Sequence, residues 1–276
     1  MMAAARSESS LPTHAIELKN IGVVRGGSTI LEGVDLAVPV GSCCAILGPN
    51  GSGKSALMAV LSGYLWPSMG TVTIGGRRYG QVNLTDVRRT IGLIEPSRAP
   101  RFSPALCVRE VVATGLFGTI MLPLYRDVNE DEWRRVEAEL APLGLAEIAG
   151  RAFGDLSSGE QMKTLLARAM VTDAEILLLD EPTVGLDMGA RAACIGVLDE
   201  LMRRAGRPTM VIVSHHLDEL PLAVSQVVLM KGGRLHAQGE PQAMLISERL
   251  RGLFDCHVDV IENHGRFVAD VRAVPS

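Results

Sequence analysis

Apolar residues recur along the chain in two spacings, which predict alternating strands and helices. Short runs that are almost entirely aliphatic, such as residues 43–47 and 175–179, are typical of parallel strands buried on both faces. Apolar residues three or four positions apart predict helices. In the segment 130–143, one helical face would carry Trp133, Val136, Leu140 and Leu143. The alternation of the two patterns predicts an α/β fold.

These patterns predict elements over most of the sequence. The segment 16–24 alternates only weakly and is interpreted as an edge strand. Other strands are predicted over residues 30–38, 43–47, 71–74, 90–94, 175–179, 209–213, 227–230 and 234–237. Helices are predicted over residues 55–61, 85–89, 108–116, 130–143, 158–170, 191–204 and 217–222.

The order of these elements predicts how the chain divides. One domain over residues 15–240 would begin with a strand-rich part and contain a helical subdomain over about 97–160. Residues 1–14 lack the apolar segment of a signal peptide and are expected to form a disordered tail. Residues 241–276 predict a helix and two weak strands, expected to pack on the domain as a C-terminal extension.

Composition narrows the functional classes. The chain has 276 residues, 47% of them hydrophobic and 4% aromatic, so its core must be mostly aliphatic. The apolar segment 116–125 is shorter than the roughly 18 residues of a membrane helix. It fits a core segment and a docking surface equally well. A net charge of −4 gives no reason to expect nucleic acid. The five cysteines, with no metal-ligand spacing, suit a reducing cytoplasm.

Residues 48–55, GPNGSGKS, fit the phosphate-loop pattern G-x-x-x-x-G-K-S/T at every fixed position. A predicted strand precedes the loop and a predicted helix follows it, so a glycine-rich turn that binds nothing is disfavoured. The glycines would expose backbone N–H groups to an anion, and the helix N-terminus adds about half a positive charge. Lys54 would reach the outer phosphates, and Ser55 would bind Mg²⁺. The predicted ATP-binding residues are Gly48, Pro49, Asn50, Gly51, Ser52, Gly53, Lys54 and Ser55.

Two carboxylates follow the apolar strand over residues 175–179. At the carboxyl end of a buried strand beside a phosphate loop, Asp180 is suited to hold Mg²⁺ together with Ser55. Glu181 would point to the other side and could polarise the water that attacks the γ-phosphate. An ordinary strand-end turn is the alternative, and the neighbouring phosphate loop disfavours it.

Three further segments carry a family resemblance. Residues 156–161, LSSGEQ, resemble the signature motif LSGGQ of ATP-binding cassette (ABC) ATPases, the nucleotide-binding subunits of ABC transporters. Residues 181–187, EPTVGLD, resemble the segment from the catalytic glutamate into the D-loop, and residues 214–216, SHH, resemble the switch-histidine region. The resemblance implies an ABC-type phosphate-loop NTPase with a mixed sheet core, an antiparallel β subdomain and a helical signature subdomain.

The resemblance also implies roles for individual residues. Two subunits, as a homodimer or a paired cassette, would sandwich two ATP molecules head to tail. The signature residues would contact the ATP of the opposite subunit, since a helix N-terminus with hydroxyls attracts an anion. The implied set comprises the signature residues Ser157, Ser158, Gly159 and Glu160, the D-loop residue Asp187, and the catalytic residues Glu181, His215 and Lys54.

The sequence departs from the family pattern at two positions. The family usually has an adenine-stacking aromatic residue near position 25, where this chain has Arg25, whose guanidinium plane could stack instead. The family usually places a glutamine after the strand 91–94, where it contacts Mg²⁺ or the attacking water and senses the membrane partner. No glutamine occurs between residues 91 and 108, so either Glu95 or Ser97 takes its place or the coupling to the membrane partner is lost.

Two functions follow as hypotheses. The first is the ATP-hydrolysing subunit of an ABC transporter, cytoplasmic or peripheral at the inner face of the membrane, with a separate membrane-spanning subunit. The alternative is a non-transport ABC ATPase with a regulatory or scaffold role, which the missing glutamine favours. A pseudo-ATPase that binds ATP only structurally is disfavoured because Lys54, Asp180, Glu181 and His215 are all present.

Overall fold

A computed structural model describes residues 12–95 and 102–272. Its largest sheet has six strands, β3 (Cys43–Leu47), β6 (Ile91–Ile94), β7 (Ile176–Asp180), β8 (Thr209–Val213), β9 (Val224–Lys231) and β10 (Arg234–Gly239). They lie in the order β10-β9-β3-β8-β7-β6, with β10 antiparallel to β9 and the other pairs parallel. The strands β3, β7 and β8 are buried along their whole length, as their continuous apolar sequences predict.

A second, antiparallel sheet contains β1 (His14–Arg25), β2 (Ser28–Pro39), β4 (Met69–Ile74) and β5 (Arg77–Arg78). The prediction of an edge strand over 16–24 is wrong, because β1 lies between β2 and β4. The pairing register shifts near Asn20, which has a positive φ of 52°. Such a bulge interrupts the two-residue alternation of apolar and polar side chains. The sequence pattern therefore understates how well β1 is paired. His14 already pairs with Pro39, whereas residues 1–11 of the expected tail lie outside the described residues.

Helices dominate the middle of the chain, with α2 (Leu84–Arg89), α3 (Val108–Phe117), α4 (Glu130–Leu140) and α5 (Ser158–Met170). Asn129 caps α4 in a reciprocal capping box with Glu132. The helix predicted over 130–143 ends at Leu140 and continues as a 3-10 turn. Pro142 lacks the N–H group that another α-helical bond would need.

The apolar segment 116–125 is largely exposed, which disfavours the interpretation of its sequence as a core segment. Leu124 is 96% exposed and Tyr125 is 83% exposed. Together with Ile120 and Met121 they line a groove of about 830 Å³ beside α3. Exposed apolar side chains grouped in this way are typical of an interaction surface.

The remaining helices are α1 (Lys54–Leu61), α6 (Met188–Arg203), α7 (Pro241–Met244) and α8 (Ser247–Phe254), and a hairpin of β11 (His257–Asn263) and β12 (Arg266–Arg272) ends the described chain. Leu253 and Val258 of this C-terminal part are buried in the same core as the large sheet. Within residues 12–95 and 102–272 the longest helix has 16 residues, and none is long and apolar enough to cross a membrane.

Candidate nucleotide-binding site

The phosphate loop connects β3 to α1 and is closely enclosed by neighbouring backbone. A Cβ atom on Gly48 would lie 2.3 Å from the carbonyl oxygen of Met230 in β9. Gly53 has a φ of 100°, which residues with a side chain rarely adopt. A Cβ atom there would lie 2.8 Å from Cδ2 of Leu31 in β2. Within the described part of the chain, no side chain caps α1 and no acidic residue lies in its first turn. The N–H groups and positive end of the helix are therefore available to an anion.

Lys54 lies inside the loop. Its Nζ atom donates to the carbonyl oxygens of Gly48 at 2.6 Å and Pro49 at 3.0 Å. Burial lowers the pKa of the Lys54 ammonium below its ordinary value, and the negative charges of Glu181 and Asp180 oppose this effect. The structure therefore places Lys54 close enough to Asp180 and Glu181 for their charges to interact.

Asp180 and Glu181 lie at the carboxyl end of β7. Asp180 is nearly buried, and it lines a cavity of about 460 Å³ together with Ser55 and Glu95. Ile94 pairs with Leu179, so Glu95 and Asp180 follow neighbouring positions on parallel strands. The hydroxyl and carboxylate oxygens in this cavity are donors that Mg²⁺ prefers. Among the described residues no group of three or more His, Cys, Asp or Glu side chains could hold a metal.

Glu181 has a left-handed backbone, with a φ of 50°. Its N–H group donates to the carbonyl oxygen of Val213 at the end of β8, at 2.9 Å. A residue other than glycine in this conformation costs about 1–3 kcal/mol and is frequent at functional sites. The turn directs the side chain toward His215, whose Nδ1 atom lies 3.1 Å from Oε1 of Glu181.

The signature residues form the start of α5. Ser157 caps this helix, and both its N–H group and its hydroxyl donate to Oε2 of Glu160, at 2.8 Å and 2.7 Å. These bonds lower the pKa of Glu160, with a smaller contribution from the Arg151 cation, which lies 3.2 Å from its Oε1 atom. Ser157 and Ser158 are exposed, so their hydroxyls can be reached from outside the chain.

The signature start packs against the D-loop helix. A Cβ atom on Gly159 would lie 3.1 Å from Cβ of Ala190 in α6. Asp187 caps α6 by accepting from the N–H group of Ala190 at 2.8 Å. The signature residues and the D-loop residue Asp187 thus lie side by side on this chain.

The two departures from the family pattern, at Arg25 and after β6, lie in different surroundings in the structure. Arg25 is exposed at the end of β1, in the hairpin whose second strand contacts Gly53 through Leu31. Glu95 lines the cavity with Ser55 and Asp180, whereas Ser97 lies outside the described residues.

Two charged residues near the site, the half-buried Arg168 and the buried Glu219, were not predicted from the sequence. Arg168 of α5 lines the same cavity and donates to the hydroxyl of Thr114 at 3.0 Å. Glu219 is 4% exposed and bonds to Ser214, next to His215. Arg168 meets Thr114 only through the tertiary fold, and Glu219 lies in an irregular turn. Neither arrangement leaves a periodic signal in the sequence.

Residues 31–184 match the family model described as ABC transporter. The chain belongs to the ABC transporter family. The uncharacterized ABC transporter ATP-binding protein YlmA of Bacillus subtilis is 31% identical over 91% of this chain and 95% of its own.

Solved ABC cassettes share the fold. The structure of cbiO1 from Clostridium perfringens, described as part of the ABC transporter complex cbiONQ, has a TM-score of 0.74 and 28% identity over 87% of this chain and 93% of that chain. A dimeric post-hydrolysis cassette bound to ADP and Pi has a TM-score of 0.68 and 25% identity over 82% of this chain and 98% of that chain.

The predicted ABC cassette fold and the ATPase class are therefore confirmed. The protein is an ATP-binding and ATP-hydrolysing subunit of an ABC transporter, and these findings favour the transport hypothesis over the non-transport alternative.

Proposed function

We propose that this ABC ATPase hydrolyses ATP with Mg²⁺ between two head-to-tail subunits and thereby drives a separate membrane-spanning partner. The contact between Glu181 and His215, at the mouth of the phosphate loop, is the observation that carries the proposal. The glycine-rich loop with its lysine, the strand-end carboxylates and the histidine converge there from three segments that are distant in sequence. That convergence is what γ-phosphate hydrolysis needs.

Binding of the phosphates is the first step. The N–H groups of the loop surround the β- and γ-phosphates, and Lys54 contributes its positive charge from within the loop. Ser55 and Asp180 would hold Mg²⁺, which neutralises charge on the β- and γ-phosphates when bound. Glu95 adds a carboxylate to the same cavity. Arg25 would stack on the adenine base.

Hydrolysis would use Glu181 as the general base. The attacking water gives a proton to the Glu181 carboxylate while its oxygen forms a bond to the γ-phosphorus. The bond from phosphorus to the β–γ bridging oxygen breaks, and ADP and phosphate are the products. His215, held against Glu181 at 3.1 Å, would donate a hydrogen bond to the γ-phosphate and stabilise the charge that develops there.

The second subunit would complete each site. Ser157, Ser158 and Gly159 would present hydroxyls and N–H groups to the γ-phosphate bound by the opposite chain, beside Glu160 and the D-loop residue Asp187. The Ser157 hydroxyl now donates to Glu160, so it would exchange one anionic acceptor for another on closure. ATP would thus hold the dimer together, and hydrolysis would release it.

The exposed segment 116–125 supports contact with a membrane-spanning partner, since it offers a groove of about 830 Å³ lined by apolar side chains. The protein would then lie at the cytoplasmic face of the membrane. A non-transport role is the second candidate, because no glutamine occurs between residues 91 and 108, where the family usually has the one that senses the membrane partner.

Recovery of the Glu181→Gln variant from its native cells tests the proposal. The variant is captured with ATP in mild detergent and its partners are identified by mass spectrometry, with a nucleotide-free capture as control. We expect a polytopic membrane protein in stoichiometric amount. Recovery of the homodimer alone, or of partners without membrane spans, would contradict the transport role and favour the second candidate.

A further inference from the structure

A buried carboxylate that the proposed hydrolysis does not use lies in the turn that follows His215. Glu219 ends the 3-10 turn Leu217–Glu219 that follows His215, and only 4% of it is exposed. A buried carboxylate is costly unless charged or hydrogen-bonding groups surround it. The contacts of Glu219 therefore show which groups compensate for its burial.

Each carboxylate oxygen of Glu219 faces a different residue. Its Oε2 atom accepts from the hydroxyl of Ser214 at 2.9 Å, in a buried hydrogen bond. Its Oε1 atom lies 3.4 Å from Nε of Arg191 in α6. The exposed Asp218 also faces Arg191, at 3.9 Å. Glu219 is the closer of the two carboxylates and the one shielded from water.

The Ser214 hydroxyl fixes the backbone on both sides of His215. Its single proton goes to the Glu219 carboxylate at 2.9 Å, since a charged acceptor forms the stronger bond, and not to the carbonyl oxygen of His216 at 3.2 Å. The hydroxyl oxygen then accepts from the N–H group of His216 at 3.0 Å. The turn that carries His215 therefore depends on where Glu219 holds Ser214.

Arg191 connects the same carboxylate to the start of α6. Its N–H group donates to the carbonyl oxygen of Asp187 at 2.9 Å, in the first turn of the helix that Asp187 caps. Glu219 thus joins the turn of His215 to the helix that begins at the D-loop.

We propose that Glu219 is a positioning residue for ATP hydrolysis, which sets His215 against Glu181 through Ser214 and ties that turn to α6 through Arg191. The inference rests on the role of His215 given under Proposed function. A purely structural Glu219 would stabilise the fold equally whether or not His215 were present. A positioning residue loses its effect on turnover once His215 is removed.

Non-additivity separates these two roles. We would measure single-turnover phosphate release, KM for ATP and the melting temperature for Glu219→Ala, His215→Ala and the double variant. Glu219→Ala alone should lower kcat about tenfold to hundredfold, the range expected when a catalytic group moves by about 1 Å. KM should stay within about twofold of wild type, because Glu219 contacts no phosphate-loop residue through its hydrogen bond or ion pair.

In the His215→Ala background, Glu219→Ala should change kcat by less than about twofold. A further fall by the same factor as in the wild-type background would overturn the positioning role and leave Proposed function intact. Wild-type turnover in His215→Ala would overturn both this inference and the role of His215.

Two other variants keep the test valid if Glu219→Ala does not fold. Glu219→Gln retains an acceptor for Ser214 and should keep more of the wild-type kcat than Ser214→Ala, which removes the hydroxyl. Equal kcat in these two variants would contradict the inference. Glu200→Ala is the matched control, since it removes an exposed carboxylate of α6 that pairs with Arg203 at 3.0 Å. Its turnover should equal that of the wild type.

Discussion

Gly48→Ala should weaken both the fold and nucleotide binding, because the loop touches β9 at this position. The added Cβ would lie 2.3 Å from the carbonyl oxygen of Met230 and 2.7 Å from Oγ of Ser52, whereas ordinary contacts begin at 3.4 Å. The serine can rotate, but the Met230 oxygen belongs to the backbone of a central strand. The loop and β9 would have to separate by about 1 Å, although Leu47 and Leu229 pair immediately beforehand.

The expected magnitude follows from that overlap. Forcing an extra carbon into a close-packed site costs about 1–3 kcal/mol of unfolding free energy. The displaced loop would also lose at least one N–H bond to a charged phosphate, worth about 1.5–3 kcal/mol, or roughly ten- to hundredfold in Kd. Urea denaturation gives the first quantity, and titration calorimetry with ATP gives the second.

Gly196→Ala is the matched control. Gly196 lies within α6, is exposed, and has no atom within 4 Å of an added Cβ. Removing a glycine from a helix should stabilise the protein by about 0.5–1 kcal/mol and leave ATP affinity unchanged. A Gly48→Ala variant that matched the wild type in both unfolding free energy and Kd would refute a tight contact between the loop and β9.

Three further substitutions test other parts of the account. Lys54→Ala removes the ammonium held inside the loop, so calorimetric ATP affinity should fall at least about tenfold; tight binding would contradict the phosphate-loop assignment. Arg25→Ala should lower ATP affinity by about five- to hundredfold, since base stacking contributes about 1–3 kcal/mol; unchanged affinity would refute stacking by Arg25. Leu124→Asp alters a side chain that is 96% exposed, so it should leave ATPase activity intact and reduce capture of a membrane partner; an undiminished yield would exclude Leu124 from that contact.

The strands of the large sheet were predictable because burial on both faces leaves an uninterrupted apolar run. The strand β8 and the helix α5 have the predicted bounds, and β7 is displaced by one residue. The adjacent residues Cys43 and Cys44 both proved buried, each in a different core on opposite faces of the sheet, as a period of two requires.

Elements that depend on irregular backbone were harder to predict. Near Asn20 a bulge concealed the central position of β1 in its sheet. The helix predicted over 217–222 is only a 3-10 turn ending at Glu219, because Leu220 precedes Pro221 and adopts extended backbone. That shortened turn is also what places Glu219 against Ser214. Local propensity contains no information about this contact.

The proposed catalytic residues Glu181 and His215 were predictable only as separate motifs at strand ends. The sequence predicts only that Glu181 and His215 each follow an apolar strand, and the parallel pairing of β7 with β8 places them near the same sheet edge. The distance of 3.1 Å between their side chains depends on the left-handed turn at Glu181. The sequence does not predict that turn, since glutamate rarely adopts this conformation.

The central claim, that Glu181 is the general base of ATP hydrolysis, is tested most directly by turnover and subunit association of Glu181→Gln. The substitution preserves the shape of the side chain and removes its charge. With Mg²⁺ and ATP we expect turnover to fall by about 10²- to 10⁴-fold while an ATP-bound dimer accumulates in light scattering. Turnover within about twofold of wild type would contradict the claim, given that loss of a general base costs far more.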